Sequence, residues 1–493
     1  MKASRVHAAP SPPVVSIEQR GAVQFAMLLL AILFVTVIGG HVTQTRQFWL
    51  LAVFLGLFFL SRRDMKRPFL ALAFGLPFSQ LWTRAETYTI APVLEASLLA
   101  FCVLWFLRAA QGRASLPRFG PLEASVLLFL ALATGSAMAA TVARVWAEEG
   151  PLAVLRLDAI VFQTPPLAPL FPVRQLFIFL EAFLLFGFVR SNLGHDDVKT
   201  LAMTLLVSAA LVLLVGAVLF VLFDNSRYFR GVSRATSVFL GPNEFATYLL
   251  MLVPLAAAVA HGARTWMARW LGVLVAGGGA LMLFFTRSQG AWLAALTAPV
   301  LAGLFFQARV TRLTRLGRVV LAGGVLAGTS VCVWLLATQA PEQINALSDG
   351  RYFLYRAALR MLQESPLFGV GLGNFFLLLG SFYPAGIEGR AAHEHAHNMF
   401  LQILAELGPL GLVAFARPLV TVLARAARAP GLSGMAWALL VAVLAVLVHS
   451  LTDYTLWMAP MWLLFWMLLG ALAVSLDAPS GTQLPAERLA LVG

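Results

Sequence analysis

Residues 198–223 read VKTLAMTLLVSAALVLLVGAVLFVLF. No residue from Leu201 to Phe223 carries a charge. An apolar stretch of about 20 residues crosses the hydrocarbon core of a bilayer as a helix. Similar stretches recur near 21–40, 47–60, 68–82, 92–108, 121–142, 174–190, 238–261, 268–285, 288–307, 317–337, 398–416, 434–450 and 455–475. The runs at 47–60 and 68–82 are short and are expected to tilt, re-enter or be cut differently, which leaves 12 to 14 spans. Each must be helical, because an unpaired backbone group in hydrocarbon is too costly. Composition agrees. Of 493 residues, 60% are hydrophobic and 12% charged, whereas a soluble domain carries about 25% charged residues. The expected fold is an all-α polytopic membrane protein.

In such a chain the formal charge of +13 does not signal nucleic acid, because Lys and Arg gather in cytoplasmic loops. With the N-terminus inside, the inside loops hold Arg62, Arg63, Lys66 and Arg67, then Arg108, Arg113 and Arg118, then Arg264 and Arg269. Arg309, Arg312, Arg315 and Arg318 follow, and last Arg417, Arg425 and Arg428. This alternation orients the chain and puts both termini inside. The expected division is a cytoplasmic tail at 1–20, a transmembrane bundle at 21–337, a large periplasmic loop at 338–397, C-terminal transmembrane helices at 398–475 and a cytoplasmic tail at 476–493. Gly21–Gly40 is longer than a signal-peptide core and reads as a retained helix. Cys102 and Cys332 lie in apolar runs and read as buried thiols. The pairs Glu148-Glu149 and Asp196-Asp197 read as solvated charges.

Some arginines fall on the side where that rule disfavours them. They are Arg227, Arg230 and Arg234, Arg287 between two spans, and Arg351, Arg356 and Arg360 in the large loop. A bound anion would compensate them, and the guanidinium fork suits phosphate. Asp349–Glu364 reads as an amphipathic helix lying on the membrane surface, with Leu354, Ala358, Met361 and Leu362 on its apolar face. Arg356 and Arg360 share another face. Gly369, Gly371 and Gly373 then alternate, which admits close approach of a ligand or a helix, or presents N–H groups to an anion. No βαβ unit surrounds them, so a dinucleotide fold is excluded.

The loop closes on His393-Glu394-His395-Ala396-His397-Asn398. The alternate spacing matches no established zinc pattern, and neither metal nor cofactor is expected. His397 stands where a span begins, with Asn398 as its cap. An imidazole held there can take a proton from a hydroxyl. In the same span Gly408-Pro409 should make a kink. Gln402 and Glu406 share a stripe, and Glu406 either orients His397 indirectly or is structural.

Four elements together resemble the O-antigen ligase and polymerase superfamily. They are Arg234–Glu244 (RATSVFLGPNE), Thr286–Trp292 (TRSQGAW), the stretch from Arg351 through Pro366 to Phe375, and His397-Asn398 followed by Gly408-x-x-Gly411-Leu412. The family more often has Ser-Arg-Gly where this chain has Thr286-Arg287-Ser288. The likeness covers about residues 225–415; the N-terminal spans match in hydropathy alone.

The resemblance implies a C-type glycosyltransferase architecture in the bacterial inner membrane, with the site facing the periplasm. It implies inverting, metal-independent transfer of a glycan from undecaprenyl diphosphate to a sugar hydroxyl of lipid A–core or of another lipid-linked glycan. The absence of Asp and Glu from the loop His41–Gln47 fits metal-free chemistry. Arg234 and Arg287 would then bind the diphosphate and His397 would be the base. Arg351, Arg356, Arg360, Asn243 and Asn398 are candidate substrate contacts. The implied partners are the lipid-linked glycan, its acceptor and membrane lipids. Ligase and polymerase stay open, as do the sugars. The competing class is a transporter or flippase, which needs polar groups near the midplane. A cluster of Glu95, Glu123 and Glu181 would favour it.

Overall fold

The structure is a computed structural model describing residues 55–82, 92–117, 119–148, 171–229, 231–306, 338–348, 350–383, 395–455 and 458–477. Among these the regular elements are all helical. In chain order they are α1 (Lys66–Gly75), α2 (Pro92–Ala110), α3 (Pro121–Glu148), α4 (Phe171–Asn192), α5 (His195–Leu222), α6 (Pro242–Gly262) and α7 (Trp266–Phe285). Then come α8 (Gln289–Phe306), α9 (Pro341–Leu347), α10 (Arg351–Glu364), α11 (Asn374–Phe382), α12 (Met399–Arg428), α13 (Gly434–His449) and α14 (Ala459–Leu476).

Seven of these, α3 to α7 with α12 and α14, are long and apolar enough to cross a membrane. Shorter apolar stretches lie in α2, α8 and α13. The chain is a multi-pass membrane protein. The expected spans at 21–40 and 317–337, and most of 47–60, lie outside the described residues. The run at 68–82 is not one straight helix. α1 passes into a 3-10 helix, Leu76–Trp82, around Pro77, which has no N–H to continue the α ladder.

Ion pairs gather helix ends that the basic loops place on one side. Lys66 at the start of α1 meets Asp197 in the first turn of α5 at 2.7 Å, and Asp197 also accepts the Gly194 N–H at 2.8 Å. Asp197 is therefore a helix cap and an ion-pair partner, not the solvated charge expected. Arg190 at the end of α4 reaches Glu123 at the start of α3 (3.3 Å) and Asp477 just past α14. Arg425 of α12 also donates to Asp477. Glu123 is thus paired at a helix end. Glu181 sits nine residues before Arg190 on α4, roughly 13 Å away along the helix, so the two carboxylates do not cluster. The side chain of Glu95 lies outside the described residues.

α12 runs well past the expected 398–416 and carries Arg417, Arg425 and Arg428, which the sequence put in a loop. Within α12, Gly408 leaves the helical region, at φ 67° and ψ −175°. Pro409 has no N–H to offer the Ala405 carbonyl four residues back. That carbonyl accepts instead from Val370 (2.8 Å), and the Glu406 carbonyl accepts from Gly371 (2.9 Å).

The alternating glycines dock into this break. All three have positive φ, and a Cβ on Gly369 would sit 2.5 Å from the Ala405 carbonyl oxygen. Of the uses expected for the turn, close approach to a helix is realised here. The N–H of Phe375, in the first turn of α11, donates to the Glu406 carboxyl at 3.2 Å. Gln402 donates to Glu406 (2.9 Å) and accepts the Ala396 N–H (3.0 Å). Through Gln402 and the Ala396 N–H, Glu406 is linked to the segment that carries His397.

The apolar face of α10 does not lie open on a membrane surface. Leu354, Ala357, Ala358 and Met361 pack against Phe375 and Leu379 of α11, Ala396 and Ala405. We predict that Gly408→Ala, whose Cβ would come 2.1 Å from the Leu367 carbonyl oxygen, destabilises the fold. The expected loss is at least about 1–3 kcal/mol, from the strained φ alone. Gly380→Ala on α11, with nothing within 4 Å, should be neutral or mildly stabilising. Thermal unfolding in detergent checks both.

Candidate active site

At the opposite end of the bundle four segments converge: the approach to α6, the α7–α8 turn, the entry to α12 and the α13–α14 turn. Arg234 lies in the first. Its Nε donates to the Thr286 carbonyl (2.7 Å), and a terminal nitrogen donates to Asn243 Oδ1 (3.1 Å). The guanidinium carbon sits 5.6 Å above the Phe229 ring. Asn225 fixes the Arg234 backbone on both sides, accepting from its N–H (3.0 Å) and donating to its carbonyl (2.8 Å). The cation is thus held in one place against the α7–α8 turn.

Arg287 occupies that turn. It is exposed, and its φ is 52°. The first turn of α8 follows two residues later, so the free N–H groups and positive end of that helix face the same region. His397, before α12, has φ 45°. Among the described residues only Ser237, Arg287 and His397 are non-glycine residues with positive φ. Such strain costs on the order of 1–3 kcal/mol and persists only where the surroundings over-determine it.

The surroundings of His397 do so. Tyr355 of α10 donates to its carbonyl at 3.4 Å. Asn398 caps α12 by accepting the Leu401 N–H (3.0 Å), and its amide donates to the Leu451 carbonyl (2.9 Å). The Met399 N–H donates to the Ser450 carbonyl at 2.9 Å. The start of α12 is therefore stitched to the end of α13.

Asp453 in the α13–α14 turn joins the two halves of the site. It is 4% exposed. Its Oδ1 lies 3.6 Å from His397 Nδ1, an ion-pair separation, and accepts the Tyr454 N–H at 2.7 Å. Its Oδ2 accepts from the Asn243 amide. A continuous path thus runs Arg234–Asn243–Asp453–His397. Burial pushes the Asp453 carboxyl up, but the His397 ring, the His449 ring and the Tyr454 N–H together outweigh it and hold it at about 2. His397 turns Nδ1 to this carboxylate, which favours a proton on Nδ1 and leaves Nε2 as the basic nitrogen.

Most candidates read from the sequence meet here: Arg234, Asn243, Arg287, His397 and Asn398. Arg351 stands one turn before Tyr355, whose hydroxyl is pushed up by burial, with the Arg351 charge opposing and the Asp453 charge adding. Arg356 and Arg360 do not join the site. Both are exposed; Arg356 lies over the Tyr352 ring and Arg360 donates to the Phe382 carbonyl (3.4 Å). Arg230, the side chain of Arg227 and His393 lie outside the described residues. His395 stacks on Tyr454 with centroids 3.9 Å apart. Burial, then the neighbouring His397, push its pKa down to about 3, so it is neutral at pH 7.

Sequence reasoning missed Asp453 and Tyr355. Asp453 had a signal: it is the single acidic residue between Glu406 and Asp477, inside an otherwise apolar stretch. Tyr355 had none, because it looks like any half-buried residue of an amphipathic helix.

Residues 249–416 match the family model described as O-antigen ligase. The chain is also 26% identical over 246 residues to the exopolysaccharide production protein ExoQ of Rhizobium meliloti (strain 1021). That match covers 46% of this chain, which spans about half (54%) of the relative. The resemblance carried by the motifs is borne out. The family match covers Gly408-x-x-Gly411-Leu412, Arg287 and His397, while Arg234 lies just before it.

The pKa of Asp453 gives a pH test. A carboxyl held at about 2 when folded, against about 3.9 unfolded, stabilises the protein above the unfolded value and loses that stabilisation as pH falls through the folded one. Asp453→Asn should therefore melt lower than wild type at pH 7, by on the order of 2 kcal/mol. The gap should narrow between pH 5 and pH 2, as thermal scans across that range would reveal.

Proposed function

We propose that this chain is an inner-membrane glycosyltransferase of the O-antigen ligase and polymerase type, acting in cell-surface polysaccharide biosynthesis at the periplasmic face. One observation carries the reading: Asp453 ties an imidazole, His397, to a fixed cation, Arg234, through Asn243. Transfer of a glycan from undecaprenyl diphosphate needs those two functions side by side. The acceptor hydroxyl attacks the anomeric carbon while the bond from that carbon to the phosphate oxygen breaks. The hydroxyl proton goes to His397 Nε2, and Asp453 stabilises the imidazolium that forms. The bonding electrons leave on the diphosphate, where Arg234, Arg287 and the start of α8 meet the growing charge. One in-line displacement inverts the anomeric centre, and its charge balance is met by residues of this chain without a metal.

The donor's apolar end has a place as well. α6, α8 and α13 line an apolar cavity of about 430 Å³. Leu250, Pro254 and Ala258 follow Asn243 and Thr247 down one face of α6, and Ala445 and Val441 run down α13 from His449. A lipid with a phosphate head at the site can lay its isoprenoid chain along these stripes. A transport reading is less well supported, because Glu123 is paired to Arg190 at a helix end, away from Glu181.

The test is turnover by purified protein in nanodiscs, with an undecaprenyl-diphosphate oligosaccharide as donor. Lipid A–core and a second lipid-linked glycan are offered in parallel. The relative's name, exopolysaccharide production protein, makes the second acceptor as pressing as the first. Transfer to either supports the reading and identifies ligase or polymerase; transfer to neither overturns it. Arg234→Ala should lower the rate by about 100-fold or more with insertion unchanged. Arg287→Lys should rescue only part of the loss of Arg287→Ala, because a point charge replaces a fork. A chelator should leave the rate unchanged.

A further inference from the structure

His449 ends α13 and is 1% exposed. Both of its ring nitrogens face hydroxyls. Nδ1 is 3.0 Å from Thr247 Oγ1 of α6, and Nε2 is 3.4 Å from Ser288 Oγ, the residue after Arg287. Thr247 is completely buried and also meets Thr455 Oγ1, beyond Asp453. The His449 carbonyl accepts the N–H groups of Thr452 (2.9 Å) and Asp453 (3.0 Å) and the Thr452 hydroxyl (3.0 Å). Gly290 lies so close that a Cβ there would come 2.1 Å from Thr452 Oγ1 and 3.3 Å from His449 Cδ2. One residue therefore touches the arginine turn with its ring and forms the Asp453 turn with its backbone.

We propose that His449 is a positioning residue that locks the strained Arg287 turn to the Asp453 turn, so that the diphosphate cation and the His397–Asp453 pair share one rigid frame. This rests on the glycosyltransferase reading. The imidazole suits the task because its two nitrogens point in different directions and reach two hydroxyls at once. Neither hydroxyl belongs to the helix that carries the ring, so the contacts fix α6, α8 and α13 against each other. The ring takes no part in proton transfer. It is buried beneath the site, and His397, which lies beside Asp453, is the half-buried imidazole that the site can reach.

Two amide substitutions separate the ring's two contacts. The Asn amide of His449→Asn reaches Thr247 in place of Nδ1 but falls short of Ser288. The longer amide of His449→Gln reaches Ser288 in place of Nε2. A misplacement of about 1 Å at a site of this kind costs roughly 100-fold. His449→Gln should keep kcat within a few-fold of wild type. His449→Asn should lose about 100-fold in kcat, a larger change than that in KM for the acceptor, with the pH profile unmoved. Both variants should keep similar melting temperatures.

A second readout needs no turnover: binding of undecaprenyl diphosphate followed by intrinsic fluorescence, with Trp292 beside the turn. His449→Asn should weaken that binding several-fold and His449→Gln should not. Equal losses in both variants, losses that track melting temperature, or wild-type binding and rate in His449→Asn would overturn the positioning role. If the wild type transfers to no acceptor, the functional reading fails, and the binding series still decides whether His449 sets the Arg287 turn.

Discussion

The candidate site depends on a buried carboxylate that is shared. Asp453 faces His397 with one oxygen and takes a hydrogen bond from Asn243 with the other, and Asn243 in turn accepts from Arg234. An ionised carboxylate is costly to bury unless it is paired and hydrogen-bonded on most of its lone pairs. Each group that meets this need is drawn to a fixed position, and each comes from a different segment. The cost of burying Asp453 is thereby turned into the geometry of the site: a cation held against the α7–α8 turn, an imidazole with a set orientation, and the closure of α12 onto the end of α13.

A second constraint holds this arrangement from the side. α12 is broken at Gly408-Pro409. The break frees the Ala405 and Glu406 carbonyls, which recruit the glycine turn of the large loop, while the Glu406 carboxyl receives the start of α11. The loop helices are thus built onto α12. α10 can then place Tyr355 over the His397 carbonyl, where it helps to hold a left-handed backbone. Strain at His397 and support from the broken helix belong to one design: the loop that the break anchors is the loop that stabilises the strained residue.

Much of this was legible in the sequence because membranes make it so. Hydrocarbon permits few backbone solutions, so apolar length marks out the helices. Arg234, Arg287 and His397 stood out as charged or titratable groups at helix boundaries, and the kink at Gly408-Pro409 follows from covalent structure. Long-range pairing was not legible. Asp453 is 56 residues from His397 and 210 from Asn243, and no local pattern announces which side chains will meet. The alternating glycines were open between a ligand, an anion and a helix, and the pairing with the freed carbonyls of α12, which reveals the approach to the helix, has no local signal. Arg356 and Arg360 looked like Arg351 because the three share one helix; the side that α10 buries separates them.

The most direct measurement is single-turnover glycan transfer by His397→Ala, with donor saturating and donor binding measured separately. If His397 is the base oriented by Asp453, the variant binds the lipid-linked donor as wild type does and transfers its glycan slower by about two to four orders of magnitude. A His397→Ala protein that transfers at the wild-type rate would contradict the mechanism.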